Sequence, residues 1–335
     1  MMLSLDDPRV LRFIEAAGAR PGALADSEPI VRGGSLREFH RIALPSGPAI
    51  LIRYDASKAE NALYAALTKA LAGMGVPVPR LLAHDDVLAL MLMEDAGRTD
   101  LWSLRDEPDD IRFDHYARVL EAVHRLHTRA PGAPELAGIA LMPGFDDALY
   151  TWEQDYFRDN CLHGTLAGRI PLPTDRADAL RTELDALRAR LLRLPTQLVH
   201  RDFQSQNILM PGGRPVFIDF QGMRGGTAFY DLGSLLFDPY VAFSDTLRAR
   251  LLDHARSLGG PLADAPEAFA QAFSDASAQR LMQALGAYGF LGIKRGITPF
   301  LAHTAPALRN LAAATRANPH LRTLHAIATE AAGKG

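Results

Sequence analysis

Three polar side chains in one short stretch of the chain have the types and spacing that phosphoryl transfer requires. Asp202 closes a His-Arg-Asp tripeptide, Asn207 follows five residues later, and Asp219 comes directly after the apolar residues 216–218. A carboxylate can accept the proton of an attacking hydroxyl, and amide and carboxylate oxygens are ligands that suit Mg²⁺. We therefore expect Asp202 to be the catalytic base and Asn207 and Asp219 to hold Mg²⁺.

The residues between these side chains predict how they are brought together. Residues 211–215 read Pro-Gly-Gly-Arg-Pro, and apolar residues stand on both sides, at 208–209 and at 216–218. Two short apolar segments around such a turn are typical of a β-hairpin, which would bring Asn207 and Asp219 close together. A His-Arg-Asp tripeptide alone also occurs in surface turns, so the prediction depends on the whole combination of gap, turn and strand.

Composition indicates an ordinary globular protein with room for two cores. The chain has 335 residues, 48% hydrophobic and 22% charged, and a net charge of -3, so it lacks the basic excess typical of nucleic-acid binding. The single Cys161 excludes an internal disulfide and fits a reducing compartment. Residues 1–10 lack a secretory pattern, and no apolar run approaches the roughly 20 residues that span a bilayer. We expect a cytoplasmic protein without nucleic-acid or membrane partners.

Hydrophobic periodicity places strands first and helices afterwards. We expect an α+β, bilobal fold, with a small antiparallel-sheet lobe over residues 1–93 and a larger helical lobe over residues 94–335. The predicted strands cover residues 30–32, 39–44, 49–54 and 87–93. The predicted helices cover residues 8–20, 57–73, 109–129, 147–163 and 175–194, and residues 228–330 are expected to be mainly helical.

The order of these features resembles the aminoglycoside phosphotransferase family, a branch of the protein-kinase-like fold. Within it, the chain is similar to the bacterial kinases of cell-wall recycling, which phosphorylate N-acetylmuramic acid and N-acetylglucosamine on the anomeric hydroxyl. The resemblance covers most of the chain. The narrower similarity is carried by residues 34–41, 91–95, 218–221, 230–241 and 279–288.

The resemblance implies ATP as phosphoryl donor, Mg²⁺ as cofactor and an amino sugar as acceptor. It also implies two nucleotide contacts. A small turn would place backbone N–H groups against the phosphates, and a hinge would pair its backbone with the adenine edge. The turn is Gly33, Gly34 and Ser35, and the hinge is Met93, Glu94 and Asp95.

One further residue is expected to support the catalytic loop, and two more are expected at the acceptor. Asp231 opens a helix, and a carboxylate there can accept main-chain N–H groups of the catalytic loop. Asp238 and Tyr240 are candidate substrate contacts beside Asp202, because a sugar needs hydroxyl-bonding side chains and an aromatic face. A solvated helix end is the alternative interpretation of Asp238 and Tyr240.

The third strand departs from the protein-kinase pattern because it carries no lysine. Arg53 stands nearest the expected position, and its planar fork can bind phosphate oxygens. Strand alternation leaves open that Arg53 faces solvent while Tyr54 faces inward. Glu60 on the following helix is a possible ion-pair partner. If Arg53 plays no part, Lys58 and Arg37 are the next bases to consider.

The motif that begins at Asp219 departs as well, since Gln221 stands where protein kinases have glycine. An Asp-Phe-Gln sequence is less suited to flipping than Asp-Phe-Gly. We therefore expect a constitutive enzyme.

Two other functions remain open from the sequence. One keeps the fold and takes an aminoglycoside, a choline-like amine or another amino alcohol as acceptor, which would call for carboxylates near the acceptor. Candidates for such a cluster are Glu153, Asp155, Asp159 and Asp238. The other is a non-catalytic nucleotide-binding protein, against which the presence of Asp202, Asn207 and Asp219 argues.

Overall fold

The computed structural model describes residues 4–30 and 37–333. The chain forms two compact units, and each draws on three separate stretches of sequence. The first unit comprises Met1–Thr99, Gly132–Met142 and Ile208–Gly222, and the second comprises Asp100–Pro131, Pro143–Asn207 and Met223–Gly335. The lobe boundary expected at residue 93 stays a prediction.

Strands concentrate early in the described residues and helices dominate later. In chain order the strands are β1 (Glu28–Ile30), β2 (Glu38–Leu44), β3 (Gly47–Arg53), β4 (Leu81–Asp85), β5 (Leu90–Glu94), β6 (Gln197–Val199), β7 (Ile208–Leu209), β8 (Val216–Phe217) and β9 (Arg224–Gly226). The α-helices are α1 (Pro8–Ala16), α2 (Ala59–Gly73), α3 (Asp109–His127), α4 (Asp147–Phe157), α5 (Thr174–Leu191), α6 (Ala228–Leu236), α7 (Asp245–Ser257), α8 (Pro266–Gly289), α9 (Thr304–Thr315) and α10 (Arg322–Gly333).

An antiparallel sheet in the order β1-β2-β3-β5-β4 forms the frame of the first unit. The strands expected around residues 39–44 and 49–54 are confirmed, whereas β4 was missed. The strand expected from Val87 begins only at Leu90, because a tight turn precedes it. In that turn the Asp85 side chain accepts a hydrogen bond from the Leu88 amide (2.9 Å), and Ala89 has a φ of 54°. Val87 is 89% exposed at the tip of this turn.

Helix α1 covers the sheet because its sequence both starts a helix and supplies an apolar face. Asp7 caps it by accepting a hydrogen bond from the Arg9 amide (2.9 Å), and Pro8 occupies the first turn. Val10 and Ile14 are buried, and they pack with Ile42, Leu44, Ala49, Leu51, Leu90 and Leu92 of the sheet. The helix ends at Ala16, four residues before the predicted end, and Gly18 follows with a φ of 95°.

The hairpin predicted between the two motif halves is present as β7 and β8. Ile208 pairs with Phe217 and Leu209 with Val216 in an antiparallel register. The Phe217 amide also donates to the Pro77 carbonyl (2.8 Å), so the hairpin is hydrogen-bonded to another part of the first unit. Asp219 follows β8 by one intervening residue.

The second unit is built around the long helix α8, which contacts α4, α6 and α9. Helices α6 and α8 approach closely at Gly233, where an added Cβ would lie 2.7 Å from the Ser277 Cα. The predicted helices of this unit are confirmed, except that α4 passes into a π-helical segment, Arg158–Thr165. Among the described residues, no helix has the length and apolar character to cross a bilayer.

Candidate active site

The start of the catalytic loop, residues 200–207, is held by the buried carboxylate of Asp231. Its oxygens accept hydrogen bonds from the main-chain amides of His200 (2.7 Å) and Arg201 (2.9 Å), and one lies 3.0 Å from Nε2 of His127. Arg201 has a φ of 78°, a left-handed conformation that is unfavourable for a residue with a side chain. The Asp231 bond therefore stabilises a strained backbone directly before Asp202. This confirms the supporting role expected for Asp231.

Asp202 lies among arginines. Its carboxylate is 3.5 Å from Arg280 and 3.7 Å from Arg201, and its side chain remains 36% exposed. Burial raises the pKa of Asp202, but the charges of Arg201, Arg280 and Arg224 outweigh that effect and hold its pKa below the usual range. Asp202 is therefore ionised at neutral pH and accessible, as a base that receives a hydroxyl proton must be. Sequence reasoning assigned no role to Arg280, although it lies in a segment that carries the resemblance.

The end of the catalytic loop is fixed by a second buried carboxylate, Asp238. One oxygen accepts hydrogen bonds from the Ser205 amide (2.8 Å) and hydroxyl (2.6 Å), and the other accepts from the Tyr240 amide (3.0 Å). Asp238 is fully buried, and burial raises its pKa. Its carboxylate thus connects the loop to the Tyr240 segment. Direct contact between Asp238 and substrate stays a prediction.

Asn207 and Tyr240 are two further candidate site residues in the second unit. The Asn207 side-chain amide donates to the main-chain oxygen of Asp202 (2.9 Å), which orients the amide group. The Tyr240 ring stands edge-on to His303 (4.4 Å between centroids) and to Tyr288 (6.4 Å). An aromatic cluster of this kind can pack against the face of a sugar ring.

The carboxylates considered for an amine site are engaged in other interactions. Glu153 is fully buried, where it accepts hydrogen bonds from the Tyr230 hydroxyl (2.9 Å) and the Gln279 amide (3.0 Å), and burial raises its pKa. Asp155 and Asp159 both pair with Arg158 at the surface. The side chains that pair with Asp202, by contrast, are those of Arg201 and Arg280.

In the first unit, the carboxylate of Asp219 is one-third exposed and is paired with an arginine. Arg37 forms an ion pair and a hydrogen bond with it, and the Gln221 amide donates to the same oxygen (3.1 Å). Gln221 in turn accepts a hydrogen bond from Arg37 (3.0 Å). The side chain that replaces the usual glycine therefore binds both the carboxylate and the arginine. Sequence reasoning did not foresee this.

The Arg53 side chain is buried and forms an ion pair with Glu38. The two residues lie directly opposite each other in the register of β2 and β3. The solvent-facing alternative for Arg53 is wrong, since only 7% of the residue is exposed, and Tyr54 is buried beside it. Contact between Arg53 and phosphate remains a prediction.

The hinge residues lie at the end of β5, where two of them form main-chain hydrogen bonds. Glu94 donates its amide to the Arg80 carbonyl (2.8 Å), and Asp95 donates to the Pro48 carbonyl (3.3 Å). The Asp95 carboxylate also pairs with Arg41, while Met93 is buried. Adenine recognition by this hinge stays a prediction. The predicted phosphate turn, Gly33, Gly34 and Ser35, lies outside the described residues.

The residues named for Mg²⁺ suit that ion chemically. Asp219 attracts a guanidinium cation, so its carboxylate is placed to receive positive charge, and the Asn207 amide supplies a second oxygen type that Mg²⁺ accepts. In the described ranges, no cluster of three or more His, Cys, Asp or Glu side chains could hold a metal. Mg²⁺ in kinases is bound partly by the substrate phosphates, so few protein ligands are needed, and the assignment of Asn207 and Asp219 to Mg²⁺ stays a prediction.

Comparison with known proteins finds a family model and several similar kinases. A model of the phosphotransferase enzyme family matches residues 26–270. The N-acetylmuramate/N-acetylglucosamine kinase of Neisseria meningitidis is 28% identical over 77% of this chain and 76% of its own, and that of Pseudomonas aeruginosa is 27% identical over 76% and 73%. A choline/ethanolamine kinase family protein from Mesorhizobium loti superposes with a TM-score of 0.63 at 21% identity, over 94% of this chain and 99% of that one. The last similarity shows the protein-kinase-like fold.

Proposed function

Because this chain belongs to the phosphotransferase enzyme family, its reaction is ATP-dependent transfer of a phosphoryl group to an alcohol, and we propose that the alcohol is the anomeric hydroxyl of an N-acetylated amino sugar. N-acetylmuramic acid and N-acetylglucosamine are the proposed acceptors. The names of the relatives from Neisseria meningitidis and Pseudomonas aeruginosa support this choice, and the match covers about three quarters of each chain.

The observation that carries the proposal is the arginine environment of Asp202. An acceptor hydroxyl that reaches Asp202 comes close to Arg280 and Arg201, which lie within 3.7 Å of the carboxylate. A cationic acceptor would be repelled by these two guanidinium groups, whereas a neutral or anionic sugar would not. The competing proposal of an aminoglycoside or choline-like acceptor needs carboxylates there, and Glu153 is buried against Tyr230 and Gln279 instead.

In the proposed reaction, Asp202 accepts the proton of the sugar hydroxyl as its oxygen bonds to the γ-phosphorus, and the bond from that phosphorus to the bridging oxygen of ATP breaks. Asp231 and Asp238 act through the loop, since they fix the backbone on both sides of Asp202. Mg²⁺, when bound, neutralises phosphate charge, and Asn207 and Asp219 are the residues proposed to hold it. We also propose that the hinge, residues 93–95, binds the adenine edge and that the Tyr240 ring packs against the face of the sugar.

The test is an acceptor panel in which ADP release is followed with ATP and Mg²⁺. We expect turnover with the two free N-acetyl sugars and none with choline or an aminoglycoside. The methyl glycosides of the same sugars are the matched controls, because they differ only in lacking a free anomeric hydroxyl. Their phosphorylation at the same rate would refute the anomeric position, and turnover of amines alone would refute the amino-sugar proposal. The acid lability of the product provides an independent check of an anomeric phosphate.

A further inference from the structure

Among the described residues, Arg37 pairs with the proposed metal ligand Asp219, whereas the strand residue Arg53 does not. Arg37 is paired with Asp219 and donates to Gln221, and only 9% of its side chain is exposed. Arg53 is paired with Glu38, on the neighbouring strand. In sequence, Arg37 follows the predicted phosphate turn by one intervening residue.

The position of the Arg37 guanidinium is determined by aromatic as well as polar neighbours. Its central carbon lies 5.5 Å from the Phe39 ring centroid and 5.8 Å from that of Tyr64. Tyr64, on α2, stacks on Phe220, which directly follows Asp219 (4.4 Å between centroids). Rings at this distance stabilise a cation without forming directional bonds to it. The guanidinium can therefore change its hydrogen-bond partner while the rings still support it.

Asp219 itself is held in an unfavourable backbone conformation, with a φ of 67°. This conformation is unfavourable for a residue with a side chain, and surrounding contacts must offset its cost. The bonds from Arg37 and Gln221 to the Asp219 carboxylate are contacts of that kind. They also occupy the carboxylate that we assign to Mg²⁺, so a metal ion and Arg37 compete for one oxygen.

We propose that Arg37 exchanges partners during nucleotide binding: it neutralises Asp219 beforehand and moves to the phosphate oxygens when Mg²⁺–ATP takes over that carboxylate. Mg²⁺–ATP brings a cation for Asp219 and anions for Arg37 together, so neither charge is left without a partner. Arg37 is then a phosphate-binding residue, and its pair with Asp219 disfavours metal binding without nucleotide. The inference rests on the proposed role of Asp219 as a metal ligand.

The test uses Arg37→Gln in the full chain, with two binding measurements and no acceptor. Mn²⁺ affinity is measured without nucleotide from the electron paramagnetic resonance signal of the free ion. Affinity for a fluorescent ADP analogue is measured with saturating Mg²⁺. We expect Mn²⁺ to bind about tenfold more tightly, because Arg37 no longer competes for the Asp219 carboxylate. The nucleotide should bind about tenfold more weakly, because its phosphates lose a charge-assisted bond from Arg37. A residue that only supports the fold would not give opposite signs.

Arg98→Gln is the matched control, because Arg98 also pairs with a carboxylate, that of the exposed Glu28, and its loss changes the net charge equally. It should leave both affinities unchanged. Arg37→Lys, which keeps the charge but not the fork, should give intermediate values and replaces Arg37→Gln if the latter does not fold. Mn²⁺ affinity that is unchanged or weaker in Arg37→Gln overturns the exchange.

Asp219→Asn separates this inference from the proposed function. In the Arg37→Gln background it should abolish the tightened Mn²⁺ binding. If Mn²⁺ binds equally well without the Asp219 carboxylate, the metal assignment itself is wrong. Failure of the amino-sugar panel, by contrast, leaves both binding measurements interpretable.

Discussion

Replacing Asp231 by asparagine should damage stability and catalysis together, because this buried carboxylate supports the catalytic loop. Its two oxygens accept hydrogen bonds from the amides of His200 and Arg201. Asparagine keeps the shape but presents one oxygen and one NH₂ group, so one main-chain N–H must face another donor. A buried donor without its acceptor costs about 1–3 kcal/mol, and the remaining bond loses its charge assistance, about 1 kcal/mol more.

The expected total is therefore about 3 kcal/mol. At roughly 2 °C per kcal/mol for a chain of this size, the melting temperature should fall by about 6 °C. Arg201 would also lose a restraint on its left-handed backbone, directly before Asp202. We expect kcat to fall about tenfold or more at a temperature where the variant is still folded, since misplacing a base slows proton transfer.

Thermal unfolding followed by circular dichroism, and ADP release with the best acceptor, provide the two measurements. Asp146→Asn is the control, because Asp146 also accepts a main-chain N–H, that of Leu149 (2.8 Å), but at the exposed start of α4. Asparagine caps helices about as well as aspartate, so this control should unfold near the parent temperature. An Asp231→Asn variant that melts within 1 °C of the parent, about the precision of the method, and keeps its turnover would refute the reasoning.

The other predictions concern charged groups in the two units. Asp202→Asn and Asp219→Ala should each reduce turnover by a factor of about 10² or more in proteins that remain folded, measured by ADP release. Arg53→Met should weaken ATP binding by about tenfold, measured by fluorescence titration; unchanged binding would show that Arg53 serves Glu38 alone. Because burial raises the pKa of Glu153 above its ordinary 4.5, the free energy of unfolding should fall as the pH rises from that value through the folded-state pKa. Glu153→Gln should remove this dependence, so the variant should gain in melting temperature relative to the parent at pH 8, and the gain should disappear toward pH 4.

Local sequence patterns predicted the parts of this molecule that depend on neighbours in the chain. The turn at residues 211–215 predicted the hairpin of β7 and β8, and the position of Asp231 at a helix start predicted its bonds to the loop. The interactions of Arg280 and Arg37 could not be predicted this way. Arg280 reaches Asp202 across 78 positions and Arg37 reaches Asp219 across 182, so only the folded chain shows which carboxylate each one meets.

Ion-pair partners were the least predictable, because charge alone does not select among many candidates. Glu60 on the following helix was a possible partner of Arg53, but Arg53 pairs with Glu38 because the β2–β3 register places the two opposite each other. Knowledge of the register would have identified Glu38. Asp238 shows a related limit. Its burial follows from the packing around α6, and nothing in its immediate sequence distinguishes a buried carboxylate from a solvated one.

The interleaving of the two units along the chain has a consequence for protein engineering. The first unit includes residues 132–142 and 208–222, which are separated from its main stretch by parts of the second unit. A truncation or chimera joined near residue 99 would therefore transplant the sheet without β7, β8 and Asp219. The proposed acceptor residues lie in the second unit, so exchange of acceptor preference between relatives should require grafting of the three segments of that unit together, and single-crossover recombination should yield poorly folded hybrids.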